Sequence, residues 1–404
     1  LNEAGFGEIA VVIGHPALAP KRESHNWALA QNCASVLLRG EITGTYAKHH
    51  LPNYSVFDEY RIFVPGNDLL SFEHLGLKFS TLICEDIWQT GGPVAQLADS
   101  NTDIVLVLNG SPFEIDKDDR RQQLVRELSV KNSAAVAYVN LVGGQDDLVF
   151  DGDSLLVDAA GKLIGRAKQF ESDLIFFDVE SKQEIRMIGE PRVTKNDDRE
   201  QVWNALVLGL RDYVNKNGFK SVVLGLSGGV DSAVCASIAA DAIGAERVFG
   251  VSMPSRYSSK HSRSDAEDSA DRIGLHFRTE PIESMVNAFE SQLGLDGIAA
   301  ENLQARMRGV ILMGLSNAEG HLTLTTGNKT ELAVGYSTIY GDSVGGFAPI
   351  KDVEKTLVWE LAKWRNEHAT ANGQTPPIPE NSISKPPSAE LRPGQVDQDS
   401  LPEY

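Results

Sequence analysis

The stretch Gly225-Leu226-Ser227-Gly228-Gly229-Val230-Asp231-Ser232 gathers, within a few residues, what is needed to hold a phosphate. It ends a solid apolar run, 222–226, and opens a segment with helical periodicity. Paired glycines carry no Cβ, so the backbone turns tightly and comes close to a ligand. Amides exposed at a helix start, together with the helix's positive end, favour an anion. Ser227 and Ser232 add hydroxyl donors, and Asp231 is a candidate to hold Mg²⁺ against phosphate oxygens. A bare GG-x-D is most often a glycine turn with a capping Asp or Ser. The full SGG-x-DS between a solid strand and a helix is much harder to explain that way. No GK[ST] ending follows, so γ-phosphate transfer is not the expected chemistry. In the first half the reactive side chain is Cys84, at the end of an apolar run. Alone it reads as a buried strand cysteine. His49 and His50 read as structural, because no third metal ligand follows at recognisable spacing.

Seven short runs rich in Val, Ile and Leu read as strands in the first 180 residues: 9–14, 34–39, 79–84, 103–108, 136–141, 154–157 and 174–179. A helix is expected over 117–131, with Leu124 and Leu128 on one face. The pattern predicts a layered α/β sandwich over residues 1–180. The chain turns polar at 181–199, where a linker is expected. From Glu200 strands alternate with helices. A helix carrying Val202, Leu206, Leu210 and Val214 comes first, then strand 222–226, helix 231–243, strand 248–252 and helix 262–273. A long helix near 302–315 and a strand at 322–325 follow. Solid apolar strands alternating with helices predict a doubly wound parallel sheet. The proline-rich last thirty or so residues are expected to be loop.

The net charge of −19 and pI near 4.9 argue against a phosphate-backbone partner, although local nucleotide binding needs only a few amides. Three cysteines without CxxC spacing argue against a disulfide framework and a structural zinc and fit a reducing compartment. No run of 18 apolar residues and no signal-peptide pattern is visible, so no membrane partner and a cytoplasmic location are expected.

The Ser227–Ser232 element resembles the pyrophosphate loop of the ATP pyrophosphatase superfamily, whose members split ATP to AMP and pyrophosphate while activating a carbonyl or carboxylate. Four downstream segments are similar, in order and spacing, to the NAD synthetases of that superfamily. They are Asn302-Leu303-Gln304-Ala305-Arg306-Met307-Arg308, Thr326-Gly327-Asn328-Lys329-Thr330-Glu331, Gly341-Asp342 and Lys385-Pro386-Pro387-Ser388-Ala389-Glu390-Leu391. Each alone is weak: TGNKTE reads equally as a polar loop, and the Arg306/Arg308 pair as a solvated helix face. The resemblance implies that Gly225, Leu226 and Ser227 to Ser232 bind ATP with Thr326, Lys355 and Ser388. It implies Mg²⁺ on Asp231 and Glu331. Asn302, Arg306, Lys329 and Glu331 are then expected at nicotinic acid adenine dinucleotide.

In the first half Lys48-His49-His50-Leu51-Pro52-Asn53-Tyr54, Phe57-Asp58-Glu59 and Leu82-Ile83-Cys84-Glu85-Asp86 are similar to the nitrilase (carbon–nitrogen hydrolase) superfamily, an α-β-β-α sandwich with a Glu–Lys–Cys triad. The resemblance implies Cys84 as nucleophile, Lys48 as the cation facing the oxyanion, and Glu59 as an auxiliary carboxylate. Tyr54, Ser111 and Lys117 are expected to contact glutamine, Lys117 standing where an arginine is common. The triad's glutamate should precede the first strand, and Glu3 and Glu8 lack its context. The chain therefore reads as a piece of a longer protein, clipped at both ends, with an exposed sheet edge and a tendency to aggregate.

The whole resembles the glutamine-dependent NAD synthetases: an amidase over 1–180, a linker over 181–199 and a synthetase over 200–404. The implied reaction takes nicotinic acid adenine dinucleotide, ATP and glutamine to NAD, AMP, pyrophosphate and glutamate, in a homo-oligomer joined through synthetase domains. Three alternatives stay open. They are an ammonia-only synthetase with a scaffold amidase, a nitrilase-family amidase with an accessory nucleotide module, and a tRNA-modifying pyrophosphatase.

Overall fold

The computed structural model describes Gly5 and residues 7–19, 30–181, 184–189, 192–399 and 401. Glu3, the terminal stretch Ser400 and Pro402 to Tyr404, and parts of the expected linker (182–183 and 190–191) lie outside the described residues. The chain divides into two compact units, residues 1–143 with 149–196, and residues 144–148 with 197–404.

The first unit is built on a six-stranded mixed sheet ordered Leu163–Arg166, Leu155–Val157, Ala135–Asn140, Ile104–Asn109, Leu77–Ile83 and Leu70–His74. Its central strands, Leu77–Ile83, Ile104–Asn109 and Ala135–Asn140, run parallel. The run Ile104-Val105-Leu106-Val107-Leu108 is apolar throughout because both faces are covered. Val105 and Val107 pack with Val94 and Leu97 of helix Gly92–Ser100 and with Val125 and Leu128 of helix Lys117–Asn132. Ile104 faces the other way, with Ala135, Ala137, Leu156 and Ile185. Each fully buried Val or Leu contributes about 1.5–3 kcal/mol by leaving water. Leu128 and Val125 are buried in this core, and the expected Leu124 packs against it, half-buried.

A separate antiparallel sheet runs Val11–Leu18, Ala30–Leu38, Glu41–Ala47, with Val11–Leu18 at its edge. The stretch expected to be a linker carries a strand, Glu184–Met187, paired antiparallel with Phe177–Ser181. Its polar composition hides a two-residue period that buries Ile185 and turns Glu184 and Arg186 outward. Two ion pairs are sealed inside this unit: Arg121 with Asp151 at 2.6 Å, and Arg166 with Asp153 at 2.6 Å.

In the second unit four parallel strands are ordered His276–Thr279, Val248–Ser252, Val222–Gly225, Leu322–Leu324. One side is covered by helices Asp198–Lys216, Val230–Ile243 and Lys355–Ala371, which pack on one another. Against the other, Val223 and Val251 meet Ile282, Val286, Leu303, Met307 and Leu312, the last three from the helix Gly297–Glu319. This is the doubly wound arrangement the strand–helix alternation predicts. The proline-rich tail is not all loop: it holds a short helix, Glu380–Ser384, and a 3₁₀ turn, Asp397–Asp399.

Candidate active sites

Cys84 follows the strand Leu77–Ile83 at an abrupt bend, with φ of +41°. A non-glycine residue in this region is strained and is held by its surroundings. Asp86, fully buried, does much of the holding. Its carboxylate accepts from the amides of Ile83 (3.1 Å), His49 (3.1 Å) and His50 (2.9 Å) and from the Tyr46 hydroxyl (2.7 Å). One carboxylate thus ties the bend that carries Cys84 to the segment that carries Lys48.

The Lys48 ammonium, 2% exposed, donates to Glu59 Oε1 at 2.6 Å, while Glu59 Oε2 is buried without a hydrogen-bond partner. Burial pushes the Cys84 thiol above the ordinary cysteine range; Lys48 and Lys117 pull it down, and Glu85 and Glu59 push it up. A thiol in that state needs a base to become a nucleophile. Tyr54 donates to Glu85 Oε2 at 2.9 Å, and burial followed by that carboxylate pushes its phenol up to about 12. Lys117 donates to Glu114.

Ser111 is buried beside Tyr138. Its carbonyl accepts from Arg121 Nη2 (2.9 Å), its hydroxyl from Arg121 Nε (3.3 Å), and its amide donates to Asn140 Oδ1 (3.0 Å). Tyr138 feels the charge of Cys84, so Ser111 belongs to the same neighbourhood. All six residues expected in the amidase half are therefore brought together. Sequence reading did not single out Asp86 as the organiser, nor Arg121, which reads as a polar helix residue.

In the second unit a cavity of about 300 Å³ opens at the carboxyl ends of the parallel strands. Gly225, Leu226, Ser227, Gly229, Val230, Asp231 and Ser232 line it, with Thr326, Glu331, Lys355 and Ser388. Gly228 sits just behind, at φ +82°, where a Cβ would lie 2.3 Å from the Ser262 carbonyl oxygen. Helix Val230–Ile243 has Gly229 as its N-cap and no side-chain cap, so its first amides face the cavity mouth.

The Ser232 hydroxyl, donating to Gly229 O, accepts from the Ser227 amide (3.2 Å) and fixes the loop. Asp231 is held by Lys355 and by Asn328 Nδ2 at 3.0 Å. Asn328 caps the helix Lys329–Val334 through Glu331, whose Oε2 accepts from the Asn328 amide at 3.1 Å. Burial, and then the neighbouring Asp231 charge, push the Glu331 carboxyl up to about 7.

A Glu331 carboxyl whose charge is opposed by burial and by the Asp231 carboxylate beside it suits a divalent cation between the two. Among the described residues no group of three or more His, Cys, Asp and Glu side chains is placed to hold a metal ion by itself. A cation at Asp231 and Glu331 would therefore complete its shell with water and phosphate oxygens, as Mg²⁺ does.

Glu390 and Lys385 close one wall. Burial opposes ionisation of Glu390, but donation from Ser262 (2.7 Å), Lys385 (3.0 Å) and the Ser259 amide (3.0 Å) outweighs it and holds the carboxyl below its usual range. Asn302, Arg306 and Lys329 do not line the cavity. Asn302 accepts from Thr338 (2.9 Å), Arg306 donates to Ile339 O (3.3 Å), and Lys329 pairs with Asp352 (3.1 Å). The cavity-facing arginines are instead Arg308 and Arg263.

Comparison with known proteins agrees with this division. A carbon–nitrogen hydrolase model matches residues 6–187, and an NAD synthase model matches 202–404. Fold and sites thus define an enzyme that joins a carbon–nitrogen hydrolase to an NAD synthase. The glutamine-dependent NAD(+) synthetase of Acinetobacter baylyi is 50% identical over 92% of this chain and 69% of its own length. That of Aquifex aeolicus is 44% identical over 92% and 71%. The structure of the Acinetobacter baumannii glutamine-dependent NAD+ synthetase in complex with ADP superimposes with a TM-score of 0.88 at 44% identity, covering 96% of this chain and 73% of that one. The chain belongs to the glutamine-dependent NAD(+) synthetase family.

Proposed function

We propose that this chain amidates nicotinic acid adenine dinucleotide to NAD with ATP and Mg²⁺, drawing ammonia from glutamine, with the first unit, including the strand Glu184–Met187, as amidase and the second as synthetase. The observation that carries the reading is one chain holding both a strained, buried Cys84 beside Lys48 and a glycine loop beside Asp231, Glu331 and Lys355.

In the amidase, Cys84 Sγ bonds to the carboxamide carbon of glutamine as the C–N bond breaks. The thiol proton passes to the departing nitrogen so that it leaves as ammonia, and water hydrolyses the resulting thioester to glutamate and the free thiol. Lys48 carries the charge of the tetrahedral oxyanion. Glu59 fixes the Lys48 ammonium, and Tyr54, Ser111 and Lys117 orient the substrate. In the synthetase, Gly225 to Ser232, Thr326, Lys355 and Ser388 bind ATP. Asp231 and Glu331 would hold Mg²⁺, which would supply neutralisation of phosphate charge when bound.

A carboxylate is a poor electrophile, and this is why ATP is needed. An oxygen of the nicotinate carboxylate bonds to the α-phosphorus as the bond to pyrophosphate breaks. Ammonia then attacks the mixed anhydride and AMP leaves. Asn302, Arg306, Lys329 and Glu331 bind the dinucleotide, the exposed Arg306 and Lys329 offering cations outside the ATP cavity. Val310, Ile339 and Tyr340, each more than half exposed, support association of synthetase units into a homo-oligomer. Three free, buried cysteines support a reducing, cytoplasmic setting. No helix among the described residues is long and apolar enough to cross a membrane.

A glutamine-like diazoketone tests the amidase assignment. It should alkylate Cys84 and spare Cys33 and Cys235, read by peptide mass spectrometry. Labelling elsewhere, or none, would overturn the assignment.

A further inference from the structure

The sequence offers two arginines two residues apart, and the structure separates their tasks. Side chains two positions apart on a helix point about 200° away from each other. On the helix Gly297–Glu319, Arg306 is exposed and donates to Ile339 O, whereas Arg308 enters the ATP cavity. There Arg308 Nε donates to the Met253 carbonyl at 3.0 Å, which fixes the plane of the guanidinium. Asp342 and Glu390 are the acidic groups whose charge reaches it, and neither forms an ion pair with it. Burial lowers its pKa to about 10, so it keeps its charge at neutral pH while being poorly solvated.

A part-buried guanidinium committed at Nε, on a residue that lines the ATP cavity, suits an oxyanion clamp. Its cavity mates include Ser227, Asp231 and Lys355.

We infer that Arg308 is a further catalytic residue of the synthetase reaction, donating to phosphate oxygens of ATP as adenylyl transfer proceeds. The inference rests on the ATP reading of this cavity. As the nicotinate oxygen bonds to the α-phosphorus, the electron pair of the breaking P–O bond departs on pyrophosphate. No proton moves, so what the step requires is positive charge held where negative charge grows. Lysine cannot reproduce the planar fork.

The test is pyrophosphate release and NAD formation with ammonium as the nitrogen source, in the unsubstituted chain and in Arg308→Ala, Arg308→Lys and Arg306→Ala. Arg308→Ala should lower kcat about 100-fold or more with the KM for ATP changed less than about fivefold. Added guanidinium ion, at concentrations that leave the unsubstituted chain active, should restore part of the loss, a response that a merely structural arginine would not give. Arg308→Lys should recover little, and Arg306→Ala should instead raise the KM for the dinucleotide. An Arg308→Ala variant with kcat within about threefold of normal would overturn the inference. So would a loss in a folded variant that guanidinium does not relieve. Failure of the underlying reading shows differently: the unsubstituted chain would then release no pyrophosphate from Mg-ATP.

Discussion

At the scale of single residues, the two sites hold ionisable groups away from their ordinary states, and each shift can be read in solution. Burial raises the Cys84 thiol and Lys48 counters it. Alkylation of Cys84 by iodoacetamide should therefore keep accelerating above pH 9, where an exposed cysteine has levelled off. Lys48→Met should slow it about three- to tenfold at pH 8, read by peptide mass spectrometry. Equal rates would remove Lys48 from the site. Glu331, pushed up to about 7, keeps its proton in the folded protein where the unfolded chain has lost it. Stability therefore falls as pH rises from about 4.3 to about 7. Glu331→Gln preserves the acceptor for the Asn328 amide and carries no charge. Without nucleotide it should melt several degrees above the parent at pH 8 and close to it at pH 5. Identical shifts at the two pH values would show that Glu331 is not strained. Legibility differs among residues for a physical reason. Ser232 stands out because its partners, Ser227 and Gly229, are local. Asp231 does so because it sits in the same loop, although Asn328 and Lys355, which hold it, are far along the chain. Asp86 draws three of its four donors from the distant 46–50 segment and sits in no such loop.

At the scale of elements, strand-to-loop-to-helix junctions carry the chemistry. The Ser227–Ser232 loop was legible because strand, glycines and helix are contiguous, and the strand Val248–Ser252 because Val248, Phe249 and Val251 make it largely apolar. Strands Leu70–His74 and His276–Thr279 were not, since histidine and charged residues interrupt their short apolar patterns. Nor was the inward turn of Arg308 against the outward one of Arg306, which depends on what packs beside the helix. Gly228→Ala examines the junction directly. A left-handed φ costs a non-glycine residue about 1–2 kcal/mol, and here the new Cβ also meets the Ser262 carbonyl oxygen. The loop must shift, raising the KM for ATP at least about tenfold, while labelling of Cys84 by the diazoketone stays unchanged. Loss of both would show that the substitution unfolds the chain rather than the loop.

At the scale of the whole molecule, an acidic chain joins two units with separate cores and separate chemistries. The net charge of −19 argued against a phosphate-backbone partner, and the doubly wound sheet followed from the alternation of solid strands with helices. The boundary between the units was harder to read, because Glu184–Met187 looks polar yet anchors Ile185 in the first core. The central claim is that the second unit makes NAD from free ammonia, and that Cys84 serves only to release ammonia from glutamine. The most direct measurement is NAD formation from nicotinic acid adenine dinucleotide and Mg-ATP with ammonium, in the unsubstituted chain, Cys84→Ala and Asp231→Ala. The account predicts NAD at equal rates from the unsubstituted chain and Cys84→Ala, and none above background from Asp231→Ala. An ammonium-fed reaction that fails in the unsubstituted chain, needs Cys84 or survives without Asp231 would contradict it.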